Sequence, residues 1–210
     1  MKNWPEINSA LRFLTLTIML LYMPAAWTQE LDTTDPAKTV SGLHDTLLKG
    51  MKGGDKLGFQ GRFKLLAPIV ERSHDLDFIA KTILGKKLWI KLNREQQQSF
   101  INHFRKLSIS TYAGMFKEYD GERFKYVDQK TMPRNHVLVR SQLVLSNGDI
   151  ESLDYLLRQD KNNWKIINIL ARGVSDLALK RVEYRSILGK KGFKVLIDML
   201  KKKIVLAEKN

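Results

Sequence analysis

The stretch Trp164–Leu188, WKIINILARGVSDLALKRVEYRSIL, constrains the fold more than any other part of the chain. Trp164 to Arg172 reads as a strand that stops at Gly173 and turns into a helix capped by Ser175 and Asp176. A hydroxyl at the N-cap followed by an acid in the first turn satisfies free backbone N–H groups and complements the positive helix end. Within the strand, Trp164, Ile166 and Leu170 form one apolar set, and Ile167, Ile169 and Ala171 the opposite one. His136–Ser146 behaves similarly, with Val137, Val139, Leu143 and Leu145 on one side and Leu138 and Val144 among polar residues on the other. A sheet apolar on both faces must be covered on both, by helices or by an apolar ligand.

The rest of the chain supplies that cover. Asp35-Pro36 opens a helix, with proline at its first position, and Val40, Leu43, Leu47 and Met51 give it one apolar stripe. Gly53-Gly54 and Gly58 break the pattern; a second helix follows over Arg62–Arg72, bent near Pro68. A short third helix covers Phe78–Leu84 and stops at Gly85. The clearest helix starts after Asn93, which can cap it, and runs to about Lys117, with Phe100, Phe104, Leu107 and Met115 on one face and Ile101, Tyr112 and Phe116 beside it. From Asp120-Gly121 the period changes to two, with strands expected at Arg123–Gln129, His136–Ser146, Ile150–Gln159 and Trp164–Ala171. Asn147-Gly148 is a strong hairpin signal and Asp160–Asn163 a second turn, so the strands form an antiparallel meander. Helices over about Asp176–Leu188 and Gly192–Leu206 close the chain. Helices, then strands, then helices predict an α+β domain: an antiparallel sheet of about four strands wrapped by N- and C-terminal helices.

Lys2 and Arg12 precede the apolar run Phe13–Met23, which is followed by Pro24, Ala25 and Ala26. A basic start, an apolar core of about 7–15 residues and small residues afterwards describe a secretory signal peptide. The expectation is a signal over residues 1–28, with a cut before Gln29 or, alternatively, after Ala25 or Ala26, and one domain over residues 29–210. The chain contains no cysteine, which excludes a lipoprotein anchor, disulfides and thiolate chemistry. An exported domain of this kind relies on its hydrophobic core alone. The formal net charge is +14, of which residues 1–28 hold only Lys2 and Arg12 against Glu6. Such a balance favours nucleic acid, anionic lipid surfaces or acidic proteins as partners, and export makes nucleic acid the least available of the three.

Catalytic patterns are weak. His44, His74, His103 and His136 stand far apart, and His74-Asp75-Leu76-Asp77 is better suited to starting a helix than to holding a metal. Gly173-Val174-Ser175 lacks the second glycine of a nucleophile elbow. Gly53-Gly54-Asp55-Lys56 lacks the spacing and hydroxyl of a phosphate-binding loop. Neither an enzyme nor a cofactor is expected. The last helix places Phe193, Leu196 or Ile197, Leu200 and Ile204 at helical spacing, with Lys190, Lys191, Lys194 and Lys201–Lys203 supplying positive charge. It can dock on the domain while its lysines steer the protein to a membrane or partner.

The order and spacing of several short motifs resemble the MlaC-type family, also called the toluene-tolerance auxiliary family. They run from Asp77-Phe78-Ile79-Ala80 through Ile83-Leu84-Gly85 to Trp89, then Asn93-Arg94-Glu95-Gln96-Gln97, Phe100, Phe104, Thr111-Tyr112 and Tyr119-Asp120-Gly121-Glu122. Val139-Arg140, Gly148, Asp154-Tyr155, Leu157-Arg158, Trp164-Lys165-Ile166, Gly173-Val174-Ser175 and Tyr184 complete the set, over about residues 36–200. Ser175-Asp176-Leu177-Ala178, Arg181, Glu183-Tyr184 and Gly192-Phe193 look closer to its hopanoid-associated HpnM branch. Asn168 stands where the family often has Asp, and Arg172 where an acid is common.

The resemblance implies a sheet wrapped by helices around an apolar cavity, NTF2-like in outline, and a periplasmic lipid carrier. It would shuttle a phospholipid or hopanoid-type lipid between an inner-membrane ABC-type transporter and possibly an outer-membrane component, with peripheral contact to membranes and no nucleic acid. Trp89, Phe104, Tyr112, Phe116, Val139, Leu143, Tyr155, Ile167 and Val174 are the residues expected to line the lipid site. The alternative is an exported basic adaptor that docks to an acidic membrane partner with a closed core.

Overall fold

A computed structural model describes residues 31–209; the expected signal segment, residues 1–28, lies outside them. Three helices come first, α1 (Pro36–Ser73), α2 (Leu76–Trp89) and α3 (Arg94–Met115). The sheet follows as β1 (Arg123–Met132), β2 (His136–Val144), β3 (Ile150–Asp160), β4 (Asn163–Ala171) and β5 (Val174–Ser175), and α4 (Asp176–Lys209) ends the chain. The strands lie in sequence order and pair antiparallel throughout, as a meander requires. The fold is the expected α+β class, with one short strand more than the four read from the sequence.

The differences lie where helices were expected to stop. α1 spans both of the first two expected helices, and Gly54 (φ 43°) and Gly58 (φ 57°) carry the interruption inside it. α2 continues past Gly85, which adopts φ 72°. Arg185 of α4 fills the gap there, donating from Nε to the Ile83 carbonyl at 2.7 Å and from Nη2 to the Thr82 carbonyl at 3.2 Å. The carbonyls left open by the broken turn are thus satisfied by a guanidinium, which suits the negative end of a helix. Gly192 (φ 84°) similarly marks the break inside α4, where two helices were expected.

The expected caps and turns form. Asn93 accepts from Gln96 N at 2.8 Å while Gln96 Oε1 accepts from Asn93 N at 3.1 Å, a reciprocal capping box. Asp75 accepts from Phe78 N at 3.0 Å and so starts α2. At Asn147-Gly148, Leu145 N donates to the Asp149 carbonyl at 2.9 Å, and Gly148 sits at φ 88°.

The core joins Leu43, Leu47, Leu66 and Val70 of α1 to Phe100 and Phe104 of α3, Leu157 and Ile166 of the sheet, and Leu196 and Leu200 of α4. α3 and the end of α4 pack tightly at Gly114, where an added Cβ would stand 2.5 Å from the Ala207 carbonyl oxygen. Backbone cannot yield as a flexible side chain does. Gly114→Val is therefore expected to cost about 1–3 kcal/mol through overpacking, despite valine's better helix propensity, and a denaturant midpoint measures it. The neighbouring residue is tied down too: buried Arg62 donates from Nε to the Ala113 carbonyl at 2.8 Å.

Candidate lipid-binding cavity

The pairing of β4 with β3 contains an irregularity. Leu157 pairs with Ile166 and Leu156 with Asn168, so Ile167 is an extra residue in the ladder. A bulge of this kind interrupts alternation. Its effect is to bring Ile166 and Ile167, expected on opposite faces, to the wall of one chamber. Both are buried.

That chamber has a volume of about 200 Å³. α3 forms one wall with Phe104, Ser108, Thr111, Tyr112 and Met115, continued by Phe116. The sheet forms the opposite wall with Leu153, Tyr155 and Ile166–Ile169. Leu76 and Ile79 of α2 and Asp176, Leu177 and Lys180 of α4 close its ends. A cleft of about 480 Å³ adjoins it between α3 and α4. Thr111, Met115, Asp176 and Lys180 line both spaces and so form the boundary, or neck, where the two meet. Met115, Leu179 and Leu206, all more than half exposed, make the cleft an apolar opening on the surface.

The polar groups of the chamber wall are occupied within the protein. His74 Nδ1 lies 3.1 Å from the Val70 carbonyl, an acceptor that places the ring proton on Nδ1. Nε2 is then an acceptor, and the Tyr112 hydroxyl donates to it at 3.0 Å. The Tyr155 hydroxyl pairs with His44 Nε2 at 3.0 Å, and the His44 ring stacks on Phe124 with centroids 4.0 Å apart. Burial pushes His44 down to about 3 and His74 down to about 4, so both are neutral at pH 7. Burial pushes both tyrosines up, which keeps them protonated. The histidines and tyrosines at this wall are therefore uncharged and bonded within the protein, and the charged groups of the lining, Asp176 and Lys180, stand at its end.

Asn168 shows how the cavity and the helix start are coupled. Its Oδ1 accepts from Leu177 N at 3.2 Å and from the Ser175 hydroxyl at 3.0 Å, while Ser175 Oγ accepts from Ala178 N at 3.1 Å. Ser175 is thus the cap read from the sequence, and Asn168 adds a second one from the sheet. Asn168→Ala is expected to cost about 1–2 kcal/mol by leaving Leu177 N without its side-chain acceptor, measurable as a lowered melting temperature. Arg172, the other departure from the family pattern, adopts φ 51° and pairs with Glu151 at 3.1 Å.

Of the residues expected to line a lipid site, Phe104, Tyr112, Phe116, Tyr155 and Ile167 meet on the chamber wall. The other four stand elsewhere. Val139 is fully buried in β2, opposite Tyr155 in the ladder, and belongs to the closed core. Leu143 is half-buried opposite Glu151. Val174 lies past the Arg172-Gly173 turn and is 52% exposed. Trp89 ends α2, with Lys81 above its ring at 6.0 Å. Missed residues include Ser108, Thr111 and Met115, which share a helix face with Phe104 and Tyr112 at spacings of three and four. The His74–Asp77 run serves three separate partners: His74 holds Tyr112, Asp75 caps α2 and binds Arg158, and Asp77 pairs with Arg105 at 3.0 Å.

The fold matches that of a phospholipid-binding protein from Ralstonia solanacearum solved in complex with a phospholipid. The TM-score is 0.72 at 25% identity, covering 82% of this chain and 98% of that one. A toluene tolerance protein of Pseudomonas putida is 24% identical over 129 residues, 61% of this chain and 58% of its own length. The intermembrane phospholipid transport system binding protein MlaC of Haemophilus influenzae is 24% identical over 130 residues, 60% of each chain. The match thus spans less than two thirds of either curated relative. The family model described as MlaC protein matches residues 42–202, and the chain belongs to that family.

Proposed function

We propose that this protein is a periplasmic phospholipid carrier, exported through its N-terminal segment, that passes lipid between membrane-bound components of an ABC-type transport system. The observation that carries this reading is the mostly apolar chamber between α3 and the sheet, which shares four lining residues with an adjoining surface cleft. The phospholipid held by the Ralstonia relative and the transport role in the name of the Haemophilus one support it.

The physical task is containment. Moving one methylene into water costs about 0.8 kcal/mol, so a sixteen-carbon chain costs on the order of 12 kcal/mol. A carrier has to offer a space nearly as apolar as the bilayer and needs no bond chemistry. Pockets for drug-sized ligands run to about 300–1,000 Å³, and the chamber is smaller than that at about 200 Å³. Acyl chains therefore enter by widening it, and the first turns of α4 and the end of α3 are the walls shared with the cleft. Among the described residues no helix is long and apolar enough to cross a membrane. A closed-core adaptor would have no use for such a chamber.

Purification without detergent, followed by lipid extraction and mass spectrometry, tests the proposal. Phospholipid in near-stoichiometric amount, or its uptake from vesicles by the emptied protein, is expected. Absence of both would overturn it.

A further inference from the structure

We propose that the neck of the cavity is a head-group site matched to a zwitterionic phosphodiester lipid rather than to an anionic one. There and in the adjoining cleft, Lys180 and Lys203 face the phosphate, and Asp176 and Glu183 face the ammonium. The inference rests on the phospholipid reading above and adds a specificity to it.

All four charged residues line the cleft, and Asp176 and Lys180 line the inner chamber as well. They stand as two ion pairs, Asp176 with Lys180 one helical turn apart, and Glu183 with Lys203 across α4 at 2.7 Å. Lys203 is further held 5.8 Å above the Tyr184 ring. Each side chain keeps between 23% and 51% of its exposure, so each can reach a ligand without unfolding anything. The charges at this opening cancel in a chain whose net charge is +14. A basic protein has left its cavity mouth neutral.

Two physical steps lead from that balance to a ligand. An amphiphile whose tails fill the chamber must stop where the apolar lining ends, because burying an unpaired charge is costly. That point is the neck. There, a phosphate gains charge-assisted hydrogen bonds from lysine only by displacing the carboxylate already bound to it. With an anionic head group the released carboxylates repel the ligand, and attraction and repulsion nearly offset. With a zwitterionic head group the released carboxylates take the ammonium, so both broken pairs are replaced. The alternating order Asp176, Lys180, Glu183 therefore selects for a ligand carrying both signs.

The test uses the full chain freed of bound lipid and incubated with vesicles of equal parts phosphatidylethanolamine and phosphatidylglycerol, with the captured lipid quantified by mass spectrometry. Phosphatidylethanolamine is expected to be enriched on the order of threefold, the scale of a partly exposed ion pair. The double variant Asp176→Asn, Glu183→Gln is expected to reverse the preference towards phosphatidylglycerol. Glu183→Gln alone, which leaves the start of α4 intact, is expected to shift it partway. Equal capture of both lipids by the unaltered protein, or a ratio unchanged in the folded variants, would overturn the head-group inference while leaving the carrier proposal standing. Capture of neither lipid by the unaltered protein would overturn the carrier proposal, and this inference with it.

Discussion

Thr111→Trp is expected to lower bound phospholipid by more than tenfold while leaving the fold intact. Thr111 lies on the neck, lining both the inner chamber and the outer cleft. It is half-buried, and its hydroxyl donates to the Leu107 carbonyl of its own helix at 2.8 Å, a bond that holds nothing else in place. An indole at this position occupies the passage. Excluding only two or three methylenes of each lipid forfeits about 2 kcal/mol at 0.8 kcal/mol per methylene, which already exceeds the 1.4 kcal/mol of a tenfold change. The change in stability should stay within about 0.5 kcal/mol, as for other partly exposed sites outside the core. Extracted lipid per protein, measured beside a melting curve, checks both halves. Thr111→Ser, which leaves the passage open, should retain lipid.

A second large effect is expected from acid. The folded protein keeps His44 and His74 neutral down to about pH 3 and about pH 4, because both rings are buried and engaged with tyrosine hydroxyls. In the unfolded chain the same rings take up protons near the ordinary value of 6.5. Below pH 6.5 the unfolded state therefore binds more protons than the folded one, and stability falls as the pH falls. Each group contributes a slope of about 1.4 kcal/mol per pH unit, so the two together remove about 3–4 kcal/mol between pH 6.5 and pH 5. Above pH 6.5 the slope fades over about one pH unit. Urea midpoints across this range measure the effect. His44→Gln and His74→Gln should each remove roughly half of it. A flat profile from pH 7 to 5 in the unaltered protein would show that these imidazoles do not stay neutral in the fold.

Much of this architecture is legible in the residues. The strands follow from alternation, and the hairpin at Asn147-Gly148 and the caps at Asn93 and Ser175 follow from local chemistry that needs no distant partner. Glycine marks the interruptions at Gly54, Gly58 and Gly85, and the gap before Gly192, but not their consequences. Whether a chain resumes its helix after such a residue depends on tertiary partners, and at Gly85 that partner is Arg185, about a hundred residues away. The cavity was only partly legible for the same kind of reason. Phe104, Tyr112 and Phe116 can be grouped because helical spacing aligns them. Alternation alone puts Ile166 and Ile167 on opposite faces, because it hides a bulge that exists only in the register between two strands. Val139 and Ile167 are equally apolar in sequence, yet one faces closed core and the other the chamber. Nothing in the side chain itself tells them apart. His44 and His74 stand isolated in the sequence, and their tyrosine partners appear only once α1, α3 and the sheet are assembled.

The most direct test of the account locates the acyl chains. The full chain would be crystallised with a phospholipid brominated along its tails, and the bromine positions read from anomalous scattering. The account predicts bromine between α3 and the sheet, in contact with Phe104, Tyr112, Tyr155 and Ile167. Bromine found only on the outer surface, with the chamber closed around its own side chains, would contradict it.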